Sequence, residues 1–245
     1  MIETALLALD DADLDALLTR SHQTSLYVLP EWLDAFPPAA IYGAYRDERL
    51  TAALFVEKGL APPPFVQYRG LLLTRKEQPS EAAALLQEAE KMGRVSVWNA
   101  PSLVDIGPFS WRHPEAVWKP DVRYTYIIDR ATARPLRDYR AVEYWEEMPK
   151  DLPPLELDLQ APFLTILNFP STLTFRSATA TLVCGVDRQK RGFYIAGWGV
   201  ELDALTWAIA QRFESFDMGG ANSPKMRSRK RNFGGRLRTC YRLAI

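Results

Sequence analysis

The sequence predicts an α/β protein with mixed, largely antiparallel sheet, and three observations predict it. Residues 41–58 and 123–129 (RYTYIID) alternate apolar and polar side chains with the period of a strand, whereas residues 79–92 and 201–213 repeat their apolar positions with the period of a helix. Residues 192–196 read as a strand that breaks on Gly197-Trp198-Gly199 and leads straight into the second of those helices. A chain of 245 residues, 47% apolar and 24% charged, buries a large core as one broad or two compact domains.

Taken in order, residues 3–20 set Leu6, Leu7, Leu9, Leu14, Leu17 and Leu18 along one helical face. A polar break at residues 21–25 precedes a second short helix over residues 27–36 (YVLPEWLDAF), entered through Pro30, with Trp32 as a core anchor. Residues 41–58 form a hairpin turned at Arg46-Asp47-Glu48-Arg49. Pro62-Pro63-Pro64 forces an extended linker. The strand over residues 65–73 (FVQYRGLLL) contains Gly70, the sign of a bulge or a close backbone approach.

A helix over residues 79–92 ends at Gly93, a strand follows over 94–99, and residues 101–120 read as irregular. Residues 163–169 (FLTILNF) suit a strand or a short helix, and 188–191 form a charged turn. Near the end, a strand closing on Phe216-Asp217-Met218 breaks at Gly219-Gly220. Asn222-Ser223-Pro224 then caps a helical turn, and a last strand carries Arg236, Arg238 and Arg242. No internal repeat is visible.

The near-neutral balance of 30 basic and 30 acidic residues conceals an asymmetry. No Asp or Glu follows Asp217, so the last 28 residues carry eight positive charges, and the first 217 hold 22 basic against 30 acidic residues. Such a block either solvates the surface or converges on a phosphate-rich ligand. Phe233 and Tyr241 within it are packing residues or stack on nucleic-acid bases. Two cysteines, Cys184 and Cys240, sit in apolar runs and read as buried thiols of a cytosolic protein; with two histidines they give no metal-ligand spacing. There is no apolar run of membrane-spanning length and no secretory signal pattern at the start. His113, before a proline, is a surface residue or a general base.

The segments Asp217-Met218-Gly219-Gly220-Ala221-Asn222 and Arg229-Lys230-Arg231-Asn232-Phe233-Gly234 resemble the C-terminal signature of the Fem-type peptidyltransferases within the tandem acetyltransferase-like (GNAT) superfamily, with Arg229 where an aromatic is usual. The Pro-x-Trp-Leu start, the Tyr68-Arg69-Gly70-Leu71-Leu72 strand and Tyr124-Thr125-Tyr126 are similar to the first domain of that family. Residues 131–154 depart from it, mixing arginines with Glu143, Glu146 and Glu147 where the family has a helix dense in Arg and Lys. The resemblance implies two tandem GNAT-like halves, over residues 1–130 and an abbreviated 161–245, joined by a linker over 131–160.

It further implies transfer of an acyl or aminoacyl group to an amine of a peptidoglycan-type precursor, from an aminoacyl-tRNA or an acyl-CoA that is not tightly held. Partners would be a phosphate-bearing small molecule, a lipid-linked precursor or tRNA. Positioning contributes most of the rate in such chemistry. Asp217 is then the candidate base, Tyr68 and Tyr124 position the acceptor, and Arg229, Lys230 and Arg231 bind phosphate. Glu201 and Asp203, in the first turn of the helix after Gly-x-Gly, argue against a coenzyme A pyrophosphate there, because like charges repel. The competing expectation is a catalytically degenerate GNAT-fold protein that binds a phosphate-bearing partner.

Overall fold

The computed structural model describes residues 2–21, 23–59, 61–75, 78–101 and 118–245. The chain forms two compact units: Met1–Arg123 with Thr239–Ile245, and Tyr124–Arg238. The segment 131–160, anticipated as a linker, belongs to the second unit, and the last seven residues belong to the first.

The first unit is an antiparallel sheet with helices on both faces. Its strands are β1 (Glu3–Leu6), β2 (Ala40–Arg46), β3 (Arg49–Lys58), β4 (Leu71–Leu73), β5 (Val95–Trp98) and the end of β12 (Arg236–Ala244). They pair in the order β1-β2-β3-β5-β12, with β4 also on β3. Strand β3 is buried on both sides and its period of two sorts its side chains cleanly. Ala52, Leu54 and Val56 pack with Leu85 and Leu86 of α3 (Pro79–Glu90), while Ala53 and Phe55 pack with Leu14, Leu17 and Leu18 of α1 (Ala12–Arg20).

Helix α1 starts nine residues later than its leucines suggest. The Asp11 carboxylate accepts from the amides of Asp13 and Leu14, which fixes the N-cap. The residues before it form β1, where Leu6 is 69% exposed. The 27–36 helix is a 3₁₀ turn (Leu26–Val28) followed by α2 (Pro30–Ala35), and Trp32 is the core anchor expected, edge-on to Tyr27. Of residues 65–73 only Leu71–Leu73 pair as a strand; Phe65 adopts φ of 65°, which breaks the extended run. Gly70 marks a close approach, since a Cβ there would lie 2.7 Å from the Trp98 carbonyl. His113 lies outside the described residues.

Arg69 and Glu57, the latter on β3, form a buried pair, 1% and 3% exposed. Arg69 donates from Nε to Glu57 Oε1 at 2.8 Å, and its Nη1 donates to the Phe36 carbonyl. Burial pushes Glu57 up and Arg69 down, and each partner's charge opposes the other's shift.

The second unit contains β6 (Lys119–Asp129) from Tyr124 onward, then β7 (Trp145–Glu146), α4 (Leu157–Leu167), β8 (Thr172–Arg176), β9 (Ala180–Val186), β10 (Gly192–Gly199), α5 (Leu202–Ala210), β11 (Ser215–Gly220) and α6 (Pro224–Arg231). Its strands order as β6-β11-β10-β9-β8-β7. All pairs are antiparallel except β10 with β11, which α5 connects as a crossover. Residues 163–167 are the end of helix α4, which carries Pro162 inside it, and Asn168 is its C-cap. Phe163, Phe175, Leu205, Ile209 and Phe216 are fully buried. Cys184 and Cys240 are buried and are not joined in a disulfide.

Removing one member of the Glu57–Arg69 pair strands a buried charge. Arg69→Met should therefore cost about 3–5 kcal/mol, and Arg69→Met combined with Glu57→Leu should recover most of it. Urea unfolding of the two variants checks this, and equal losses would contradict it.

Candidate functional site

Strands β10 and β11 hold together over only two residue pairs, Gly192 with Phe216 and Phe193 with Asp217. Beyond them β10 stays paired with β9 as far as Gly199, through a bulge between Tyr194 and Ala196. Strand β11 meanwhile follows β6 to Gly220, with its own irregularity after Asp217. Two parallel strands that part company leave a gap, and bulges re-aim side chains at such gaps. A pocket of about 90 Å³ opens there, lined by Tyr194, Asp203, Thr206, Met218, Met226, Arg229, Lys230 and Phe233.

The walls come from four elements. Tyr194 is the first β10 residue past the last pair with β11, and Met218 holds the same position on β11. Asp203 and Thr206 come from the first turns of α5, and Met226, Arg229 and Lys230 from α6. Helix α6 starts where the Ser223 hydroxyl accepts from the Met226 amide, with Pro224 at its first position. It ends at a turn held by Gly234 at φ of 67°, where a Cβ would lie 2.0 Å from the Arg134 carbonyl.

Lys230 points inward. Its ammonium donates to the carbonyls of Met218, Gly219 and Gly220 at 2.5, 2.9 and 2.7 Å. An ammonium has three N–H groups, so none is left for a phosphate. Burial pulls Lys230 down to about 8, opposed by the Asp217 charge, and it remains a cation at neutral pH. Asp217 is equally committed: its Oδ1 accepts from the Thr125 hydroxyl and from the Gly219 amide, the latter at 2.7 Å. Burial raises the Asp217 pKa, and those two bonds and Lys230 oppose the rise. The expected roles of base for Asp217 and phosphate ligand for Lys230 thus give way to a structural one. Together they fix the end of β11.

The other expected residues divide. Arg229 stands on the pocket rim, where Nε and Nη2 donate to Asp203 Oδ1 at 2.8 and 2.5 Å. Arg231 is exposed on the same helix. Tyr124 carries the Arg227 guanidinium 4.2 Å above its ring, and its amide donates to Asn222 Oδ1. Tyr68 belongs to the first unit, 5% exposed against Tyr27, with its carbonyl accepting from the Ser25 hydroxyl at 2.6 Å.

The two acidic residues of the α5 entry do not stand free either. Asp203 is neutralised by Arg229, and Glu201 Oε2 accepts from the Thr179 hydroxyl at 2.6 Å. Among the described residues no side chain caps α5. Gly199 has φ of 108° and lies so close to Thr179 that a Cβ would come within 2.2 Å of its carbonyl. That glycine packs the strand end against β9 and does not leave a cradle for a ligand.

Sequence reasoning missed Tyr194, Thr206, Met218, Met226 and Phe233 as lining residues. The only signal for them is the strand-glycine-helix-strand order, which makes β10 and β11 parallel and so able to part. Phe233 is buried under Tyr139, ring centroids 5.2 Å apart and planes at 14°. Burial raises the pKa of the Tyr194 hydroxyl, which stays protonated at neutral pH. Among the described residues no cluster of His, Cys, Asp and Glu is gathered as for a metal ion, and no helix is long and apolar enough to cross a membrane.

The geometry matches that of known acetyltransferase folds. A putative acetyltransferase from Pyrococcus horikoshii superposes with a TM-score of 0.56 at 8% identity, over 100% of this chain and 89% of that one. A tandem GNAT protein from the clavulanic acid biosynthesis pathway gives 0.52 at 12% identity, over 100% and 98%. A conserved protein of unknown function from Bacteroides thetaiotaomicron gives 0.53 at 12% identity over the whole of both chains. No family model and no curated protein matches the sequence. The fold is therefore the mixed α/β fold of the GNAT acetyltransferases.

Lys230→Met takes the ammonium away from three carbonyls at the end of β11, leaving that of Gly219 to the Thr125 hydroxyl, and should destabilise the protein by about 3–5 kcal/mol. Arg231→Met, on the exposed side of the same helix, should change stability by less than about 0.5 kcal/mol. Urea midpoints at neutral pH measure both, and similar midpoints for the two variants would refute the inward role of Lys230.

Proposed function

We propose that the protein transfers an acyl or aminoacyl group to a primary amine, with the second unit receiving the donor in the gap between β10 and β11. The observation that carries this reading is the pocket at the point where these parallel strands part, apolar along Met218, Met226 and Phe233 and charged at its rim through Arg229. A donor with an apolar arm and an anionic carrier suits both features. Arg229 and the uncapped amides of α5 would hold the anion, and the methionines and Phe233 would hold the arm.

An acyl-CoA, when bound, supplies an activated thioester carbonyl. Glu201 and Asp203 oppose its pyrophosphate less than two free carboxylates would, since both already have partners. The acyl-CoA donor therefore stands level with aminoacyl-tRNA in this proposal. The Tyr194 hydroxyl lines the pocket in its protonated form and can deliver a proton to a leaving group. Arg229 steadies the carrier, and the pocket walls exclude water from the arm.

The finer proposal, on the strength of the Asp217–Asn222 and Arg229–Gly234 motifs, is that the amine belongs to a cell-envelope precursor of peptidoglycan type, met in the cytoplasm. A second reading has its own support. With Asp217 and Lys230 committed to holding β11, Asp203 is the only carboxylate among the described residues that lines the pocket, and it is paired. A GNAT-fold protein that binds a phosphate-bearing partner without turnover needs nothing more than this.

Radiolabelled acetyl-CoA and aminoacyl-tRNA, each offered with a panel of amines that includes nucleotide-linked peptide precursors, distinguish the readings. Label transferred to an amine supports catalysis. Arg229→Gln should then raise the donor KM about tenfold with little change in kcat, as expected for one lost charge-assisted contact. Binding of either donor as a rise in Tm, without transfer, favours the non-catalytic reading, and neither binding nor transfer removes both.

A further inference from the structure

The pocket between β10 and β11 is lined by charge of both signs. Asp203 and Arg229 bring one each, and Lys230 is a third, its charge faced by that of Asp217. The four groups sum to zero. A ligand that is only an anion meets Arg229 but is repelled by Asp203 beside it, and a ligand that is only a cation meets the reverse. A ligand with a positive and a negative group side by side gains from both.

The Asp203–Arg229 pair has room for such a ligand without breaking. Both of its bonds run to Asp203 Oδ1, from Arg229 Nε and Nη2. Among the described residues, Asp203 Oδ2 accepts no hydrogen bond and Arg229 Nη1 donates none. One acceptor and one donor therefore remain in use by nothing. Hydroxyl-bearing residues adjoin them. Thr206 follows Asp203 by one turn of α5, and Tyr194 lines the pocket from β10, its hydroxyl 3.5 Å from the Gly197 carbonyl. Tyr139, whose ring backs Phe233, has a buried hydroxyl with no hydrogen-bond partner among the described residues. The charges of Asp203 and Arg229 both act on that hydroxyl.

The rest of the lining is apolar: Met218, Met226 and Phe233. Methionines adapt to the shape of a neighbour. A cavity of about 150 Å³ takes a benzene ring, so one of about 90 Å³ takes a branched aliphatic group of roughly four carbons.

We infer that this pocket binds a free α-amino acid with an aliphatic side chain. Its ammonium sits on Asp203, its carboxylate on Arg229, and its side chain against Met218, Met226 and Phe233. The inference rests on the same pocket as the acyl-transfer reading, but not on turnover. A bound amino acid takes up Arg229 and the apolar wall together, so it excludes the donor's arm and regulates donor entry by competition.

Titration calorimetry of the intact chain with L-leucine, leucinamide and N-acetylleucine tests it. The amide keeps the ammonium and loses the carboxylate; the acetyl derivative does the opposite. Leucine should bind, and each derivative should bind at least about tenfold more weakly, the loss of one charge-assisted hydrogen bond. Asp203→Asn should weaken leucine by a similar factor and erase its preference over N-acetylleucine. Arg229→Gln should erase the preference over leucinamide. Met226→Trp fills the apolar end from a helix position that is 46% exposed, and should abolish leucine binding. Arg94→Gln, at an exposed arginine of the first unit, should leave it unchanged. Circular dichroism and Tm confirm that the variants are folded. No heat with leucine, either derivative binding as tightly as leucine, or leucine binding unmoved by Asp203→Asn would overturn the inference. Leucine bound by a protein that transfers no label supports the inference while catalysis falls. Label transfer without leucine binding overturns the inference alone, so the two readings fail separately.

Discussion

The second unit depends on one buried cation. Lys230 reaches from α6 to three successive carbonyls at the end of β11, where that strand leaves the parallel pair with β10. A strand that loses its neighbour leaves backbone acceptors without partners, and buried acceptors without partners are costly. The lysine satisfies three at once, and Asp217 takes the Gly219 amide from the other side. Thr125 ties the two together, its hydroxyl bonded to Asp217 and to the Gly219 carbonyl. The gap can stay open because its edge is saturated by side chains and not by a neighbouring strand. Desolvating the ammonium opposes this arrangement, which is why burial pulls Lys230 down to about 8.

That constraint also explains which parts were readable from sequence. The hairpin of β2 and β3, helix α3, strand β5 and the Ser223 cap of α6 follow from local periodicity and turn chemistry, and they occur where these predict. Strand β1 did not, because Leu6, with Leu7 and Leu9 after it, continues the helical spacing of α1 and only the Asp11 cap separates them. The direction of Lys230 was hidden differently. Helix α6 reads PKMRSRKR, in which a stripe of cations gives no sign of which one turns inward. One physical clue was present: with Pro224 and Met226 its only apolar residues, a helix that packs must bury the stem of a lysine or arginine. The pocket was less legible still, since Tyr194, Thr206 and Met218 come together only through the parting of two strands.

The charges of the chain illustrate the difference between a count and an arrangement. Eight cations without an acid after Asp217 suggest one continuous basic surface. In the fold they separate by task. Lys230 is buried on carbonyls, Arg227 lies over Tyr124, Arg229 pairs with Asp203, and Arg242 bonds Asp121 at 2.7 Å within the first unit. Among the described residues, those left without an ion pair are Lys225 on α6 and Arg231, Arg236 and Arg238 at and beyond the far end of that helix. Pairing therefore concentrates the uncompensated charge at one end, although the sequence spreads it over 28 residues.

The Asp203–Arg229 pair shows how much this sorting matters for a ligand. An acid in the first turn of a helix suits the helix dipole and opposes an incoming anion. Paired with an arginine it does neither strongly, because the arginine cancels most of its field beyond a few ångströms. The pair is half exposed, with relative exposures of 53% and 35%, so solvent screens it and it contributes little to stability, about 1 kcal/mol or less. A weak pair is a replaceable one. Both of its bonds use the same carboxylate oxygen, which leaves Arg229 Nη1 without a bond to Asp203. An anion arriving at the rim thus meets an arginine that can exchange partners at small cost, at the mouth of a pocket that Lys230 keeps open.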